Sequence, residues 1–335
     1  MPSFSKKLLP VICTVILSIC GAWGFLVHRT VNQLAVYELP AEIAPFFSNH
    51  MDYLVRNAPR PDIRRSSDPT EAPKHFIDIE MYGPDALHKM PVHWKDAVAR
   101  YTQDTLLKYG YVPYQIGMTV QALTRSFIAH NKDSILFYAA DLGHYAGDAN
   151  VPLHTTVNYD GQLTGQKGLH SLWESTIPAL LESSYNLYSP HKASFVKDPE
   201  LAAWIAVRRA AALLPALLSK EQELSQQFTD QEKYRVQMRK GKEYKSYTTA
   251  FVKAYAAALG NSVNEQLIHS ADLTADLWYT AWVNAGKPDL SDINQGWGGE
   301  KEAAFEQELA AFRQNSLVKT GLLQALKQVP VANNE

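Results

Sequence analysis

Apolar residues recur along most of this chain at intervals of three and four, the spacing that gathers them on one face of a helix. The pattern predicts helices over about 31–39, 41–56, 92–109, 114–130, 133–147, 169–186, 199–218, 221–240, 245–268, 270–285 and 300–327. Pro40 stops the first of these, and Asn57-Ala-Pro-Arg-Pro61 breaks the second, because proline lacks the amide donor and clashes with the preceding turn. Asp133 is placed to cap the helix that follows it. Alternation of period two between turn signals is missing, so no strand is expected. The fold class expected is therefore all-α, a single multi-helix domain packed around an apolar interior.

The breaks between helices are as telling as the helices. Asn150-Val-Pro-Leu-His154 must leave the helical path at Pro152. Asn158 to Gly168 is polar and glycine-rich and reads as a flexible loop returning the chain to a helix at His170. At the start, Lys6 and Lys7 precede the apolar stretch Leu8–Ile19, and Cys20 and Ala22 form a small-x-small site before Trp23. This is the layout of a secretory signal peptide over residues 1–22, with a mature chain secreted or periplasmic. Two other readings stay open. Leu8 to Val27 is an apolar run of 20 residues, long enough for a membrane anchor, and Leu-Ser-Ile-Cys20 offers a lipid attachment site. The remainder divides into a main domain over 23–290 and a C-terminal helical extension over 291–335.

Composition narrows the chemistry. Hydrophobic residues make up 46% and charged residues 20%, the balance of a globular protein. Both cysteines, Cys13 and Cys20, lie in the leader, so the mature chain has neither disulfides nor thiolate ligands. Without Lys6 and Lys7 the balance is 30 basic residues against 34 acidic, which excludes a reader of duplex DNA that works by its own positive field.

Histidine and acid then stand out. His144 and Asp148 are four apart on one predicted helix, as are His170 and Glu174 on another, and His154 lies between them beyond the Pro152 break. A spacing of four lets one rigid helix present two ligands, and imidazole with carboxylate is a common zinc donor set. Either pair alone recurs widely on helix surfaces. Two within 31 residues, with a histidine between, point to a metal site. Upstream, Asp62 and Arg65 are three apart, and His75 opens His-Phe-Ile-Asp78.

Taken in order, Trp23-Gly-x-x-x-His28, Asp62-x-x-Arg65, His75-Phe-Ile-Asp78, His144-x-x-x-Asp148-x-x-x-Pro-Leu-His154 and Leu-His170-Ser-Leu-Trp-Glu174 resemble the zinc-dependent phospholipase C/S1–P1 nuclease superfamily. The resemblance spans roughly residues 23–180 and implies an all-α fold with three zinc ions in a cleft. It implies a first zinc on Asp62, His75, His144 and Asp148, and a second on His154, His170 and Glu174. The third would rest on His28, on bridging Asp148, and on the amine and carbonyl of Trp23, made available by cleavage after Ala22. Asp62, Arg65 and Asp148 would be the catalytic residues, with Arg65 contacting substrate phosphate. His50, His88, His93, His130, His191 and His269 match nothing in the pattern and read as surface or structural residues.

The activity implied is hydrolysis of a phosphodiester by zinc-activated water. Six metal charges against three from Asp62, Asp148 and Glu174 would make the cleft cationic in an acidic protein. The close spacing of Trp23 and His28, with Asp62 and Arg65, leans toward single-stranded nucleic acid or 3′-nucleotides. Phe76 and Tyr159 are the aromatic candidates for stacking bases there. Glu174 leans toward the phospholipase C branch and phospholipid head groups, since the nuclease branch usually has aspartate there. A zinc-binding or membrane-anchored module without catalysis is the third reading, and no stable protein partner is indicated.

Overall fold

The computed structural model describes residues 24–239 and 242–327; the leader and Trp23 lie outside the described residues. Helices dominate, as the periodicity predicts. Five long ones build the body: α1 (Gly24–Glu38), α2 (Val112–Ile128), α3 (Lys132–Asp148), α4 (Pro199–Ser225) and α5 (Ser262–Asn284). α1 packs against α3 and α5, α2 lies along α3, and α4 covers α2.

α1 is the central rod. Leu26, Val31, Leu34, Ala35 and Val36 are buried, and so are the polar Thr30, Asn32 and Gln33. Buried amides must find partners, since an unpaired one costs about 1–3 kcal/mol. Asn32 donates to the Leu54 and Ala140 carbonyls at 3.1 and 3.3 Å, and Gln33 donates to the Leu322 carbonyl at 2.9 Å. The close α1–α3 approach requires Gly143, where any Cβ would collide with Asn32 Oδ1. Trp278 of α5 closes the other side, its indole donating to the Ala139 carbonyl at 2.9 Å. Phe305, Phe312, Leu317 and Leu323, from beyond residue 290, join the same core.

A second apolar cluster lies under the loops after α3. Val151, Leu153, Leu169, Leu172, Trp173 and Ile177 pack with Leu217 of α4 and with Phe251 and Tyr255 of the helix Thr249–Leu259. The segments carrying His154 and His170 are thus seated on a core of their own.

Several elements differ from expectation. α3 is capped by Asn131, whose side chain accepts from the Ser134 amide at 2.9 Å, and Asp133 falls inside the first turn. The stretch 41–56 is two short helices, Ala44–Asn49 and Met51–Asn57. The stretch 92–109 is likewise split at Thr102, whose φ is 68°. α4 runs unbroken through 218–221, and α5 is separated from the helix before it at Gly260, with φ of 61°. The largest correction is at 234–247. An antiparallel hairpin, β1 (Tyr234–Arg239) and β2 (Lys242–Tyr247), replaces the ends of two expected helices. The loop 158–168 is also cross-tied, with Leu163 and Asp160 amides donating to Asn158 and Gln162 side chains.

One buried acid makes stability pH-dependent. Glu182 is 2% exposed, with Oε1 accepting from Thr30 at 2.6 Å and Oε2 unpaired. Burial raises its pKa from 4.5 to about 7, the Thr30 bond offsetting only part of the effect. A carboxyl raised in the folded state favours folding while protonated, and that advantage disappears as pH rises from 4.5 through 7. Urea denaturation at pH 5 and pH 8 should show wild type losing up to about 3 kcal/mol relative to Glu182→Gln. Parallel pH profiles for the two proteins would refute the assignment.

Candidate metal centre

The short helix Arg60–Arg64 follows Pro59 and divides its side chains between two environments. Asp62 and the next residue beyond the helix, Arg65, turn toward an open cleft. Arg60 and Arg64 turn inward to α3, where both pair with Asp141 at 2.6 and 2.9 Å. α3 then supplies His144 and Asp148 one turn apart, α1 supplies His28, and the loop after the Pro152 break supplies His154. His170 and Glu174 stand on a short helical turn and the single π-turn that continues it.

Asp148 is the point where these segments meet. Its Oδ2 lies 2.9 Å from His75 Nδ1 and 3.2 Å from His144 Nε2. Its Oδ1 lies 3.5 Å from His154 Nδ1 and 3.7 Å from His28 Nε2. Three donor groups result, each with ligand atoms within 4.8 Å of one another: His28, His144 and Asp148; Asp62, His75 and His144; His154, His170 and Glu174. Glu174 Oε1 reaches to 3.9 Å from His28, so the groups adjoin. All the described residues named as ligands from sequence are brought together here.

The tautomers follow from the outer hydrogen bonds. His144 Nδ1 donates to the Ala58 carbonyl at 2.9 Å, and His154 Nδ1 donates to the His75 carbonyl at 2.8 Å. A carbonyl only accepts, so each neutral ring turns an unprotonated Nε2 into the centre. Each of those lone pairs faces a second ring nitrogen: His144 Nε2 is 3.1 Å from His75 Nδ1, and His154 Nε2 is 3.1 Å from His170 Nε2. Protons or a cation must sit between them. The donor set among the described residues, five imidazoles with three carboxylates and no thiolate, could hold a divalent metal, zinc among them.

The electrostatics carry the same message. Asp148 and Glu174 are held well below the carboxylate range, their surrounding histidines outweighing the opposing effect of burial. Burial drives His28 down to about 4, with His144 adding to it. Burial also opposes protonation of His144, but Asp148 and Asp62 overcome it and raise the ring to about 9. Asp148 and Glu174 thus favour positive charge on the rings around them, His28 excepted.

A ring of residues unread in the sequence surrounds the ligands. Glu71 is fully buried and pairs with Arg64 at 3.1 Å and Lys74 at 2.7 Å. Tyr145 also donates to it, and His75 Nε2 stands 3.6 Å away, slightly beyond hydrogen-bond range. Glu71 therefore lies behind the His75 ring, on the side away from Asp148. The available signal was the run of Arg64, Glu71 and Lys74 ahead of His75, with Tyr145 beside His144.

Beside the ligands is a cleft of about 380 Å³ lined by Arg65, His75, Phe76, Asp78, Tyr159 and His170 among others. Phe76 is half-buried, and Tyr159 is 54% exposed with its ring edge-on to His170. Of the histidines outside the pattern, His130 pairs with Asp292 and His191 with Asp276. His93 forms a separate surface group with Asp198 and Glu200 at the start of α4. Neither a scan against protein-family models nor a search of curated proteins gives a match for this chain.

Gly147 gives a direct test of the packing. A Cβ there would stand 2.9 Å from His28 Nδ1, and the His28 ring is already stacked on His144 at 3.9 Å. Gly147→Ala should destabilise the protein by about 1–3 kcal/mol in urea. Combined with His28→Ala, the loss should be clearly less than additive, because the clash is then gone. Strict additivity would show that the two residues do not meet.

Proposed function

We propose that this protein is a zinc-dependent phosphodiester hydrolase of the phospholipase C/S1–P1 nuclease type. The observation that carries the reading is Asp148, a buried carboxylate whose two oxygens are shared among histidines from four segments, one of which, His154, also lines the adjoining cleft. Asp62, His75, His144 and Asp148 would hold one zinc, His154, His170 and Glu174 a second, and His28 with Asp148 and the Trp23 terminus a third. Bound there, zinc would supply Lewis acidity toward phosphoryl oxygens and lower the pKa of water to near neutrality.

The side chains would do the rest. Asp62, partly open to the cleft, accepts from Arg65 at 3.4 Å and so aims the guanidinium along the cleft wall. Arg65 would grip two phosphoryl oxygens in bidentate fashion and hold phosphorus over the floor. Phe76 and Tyr159 would flank whatever group the phosphate carries, a base or a head group. A Cβ at Gly24 would lie 3.4 Å from Glu174 Oε1, so α1 begins beside the site, which is what a role for Trp23 would require.

The deciding experiment measures zinc by mass spectrometry and assays the purified mature protein on single-stranded DNA, RNA, 3′-nucleotides and phosphatidylcholine. Zinc near three per chain and hydrolysis of one substrate class are expected. Arg65→Ala should retain the metal and lose roughly a hundredfold in turnover. A chain without zinc sinks the proposal, and a fully loaded but inert one leaves a zinc-binding module.

The amine of Trp23 has its own test. An α-amine titrates near 7.7–8.0 and so can become a neutral ligand at modest cost. Protein beginning at Trp23 should hold one more zinc than protein with a single extra residue before it. Equal metal content and activity in both would remove the amine from the site.

A further inference from the structure

The β1–β2 hairpin is out of character with the rest of the chain. Its sequence, residues 234–247, carries five basic residues and one acidic one, in a chain whose net charge is −2. Its base is firmly seated: Tyr234 packs on Tyr247 at 5.1 Å, and Tyr247 stacks on Phe251 at 5.3 Å. Beyond that base, Val236 is 52% and Met238 69% exposed, with Arg235 and Lys245 also in solvent. Cross-strand pairing puts Val236 opposite Lys245 and Met238 opposite Glu243, so Lys245 shares the apolar face while Arg235 flanks it from the other.

The hairpin is also tied to the cleft. Glu221 of α4 is 1% exposed; one oxygen takes Lys233, at the foot of β1, at 2.7 Å. The other accepts from Gln166 of the 158–168 loop at 2.6 Å. That loop carries Tyr159 on the cleft wall, Leu163 at 67% exposure and the solvent-facing Lys167. Tyr247 reaches it directly, 3.4 Å from the position a Gly168 Cβ would take.

We propose that this hairpin, with Leu163 of the adjoining loop, docks the protein on an anionic lipid surface. Aliphatic side chains enter the acyl boundary while flanking Lys and Arg meet acidic head groups. The apolar groups decide against single-stranded nucleic acid as the occupant. Bases stack on aromatic faces, whereas Val236 and Met238 are aliphatic, and exposed Tyr244 pairs with Gln237 on the opposite face of the ribbon. The proposal is independent of the metal and of the hydrolytic activity.

The test is sedimentation of the mature protein with phosphatidylcholine vesicles, with and without phosphatidylglycerol, at low and high salt. Binding is expected only with phosphatidylglycerol and should weaken with salt. Val236→Ser with Met238→Ser, and separately Arg235→Glu with Lys245→Glu, should each lower partitioning about tenfold. Unchanged circular dichroism and an unchanged urea midpoint will show that the variants fold. No binding to phosphatidylglycerol vesicles, or variants that bind like wild type, would overturn the proposal. So would a single-stranded oligonucleotide bound through Arg235 and Lys245 in place of the vesicles.

Discussion

A fully buried carboxylate is expensive to desolvate, and Asp148 is tolerable only because four imidazoles surround it. This constraint reaches through the whole fold. The four rings arrive from α1, α3, the turn ending at His75 and the loop after Pro152, so the segments must be fixed before the carboxylate is satisfied. Gly143 lets α1 approach α3, and Gly147 leaves room for the His28 ring. Neither glycine has a positive φ. Both are required by contact distance and not by backbone conformation.

Around that centre the charges are arranged in two shells that do not mix. Arg60, Arg64 and Lys74 are spent on Asp141 and Glu71, which are not ligands. Burial alone would raise the Glu71 pKa, but the nearby His75 ring and the hydrogen bonds from Arg64 and Lys74 hold it well below the usual range. Among the described residues no lysine pairs with Asp62, Asp148 or Glu174, and Arg65 meets Asp62 from the exposed side. The outer cations therefore stabilise the walls while leaving the inner carboxylates available. A site whose acids were already neutralised by guanidinium groups would have little affinity for a cation. This separation makes a metal-binding reading stronger than the count of histidines does.

Much of the architecture was legible because burial imposes a helical period. The expected helix over 114–130 is observed at 112–128, and that over 133–147 at 132–148. His144 with Asp148 and His170 with Glu174 were legible for the same reason, since four residues make about one turn. The pair at 170–174 nevertheless sits on an α-turn passing into a π-turn, which no spacing rule announces. The outer shell was hidden because its pairs join residues far apart in sequence: Arg60 reaches Asp141, and Glu71 reaches Tyr145. The hairpin did carry a signal, with Tyr234, Val236 and Met238 alternating with Arg235, Gln237 and Arg239. A run of good helix formers on both sides masked it, and only the base of the ribbon is buried, so its alternation does not separate inside from outside.

The second core explains how such a ribbon is tolerated. A two-stranded hairpin is marginal alone, yet here its foot is clamped by the Lys233–Glu221 pair and by the Tyr247–Phe251 stack. The same cluster, through Leu153, Leu169 and Leu172, supports the segments bearing His154 and His170. Glu221 lies at the junction, accepting from the hairpin on one oxygen and from the cleft loop on the other. Lys233, Glu221 and Gln166 link the ribbon to the cleft loop through the C-terminal end of α4. The candidate ligands on α1 and α3 and those at 154–174 thus rest on different apolar clusters. Asp148, touched by histidines from both, is where the two supports must agree.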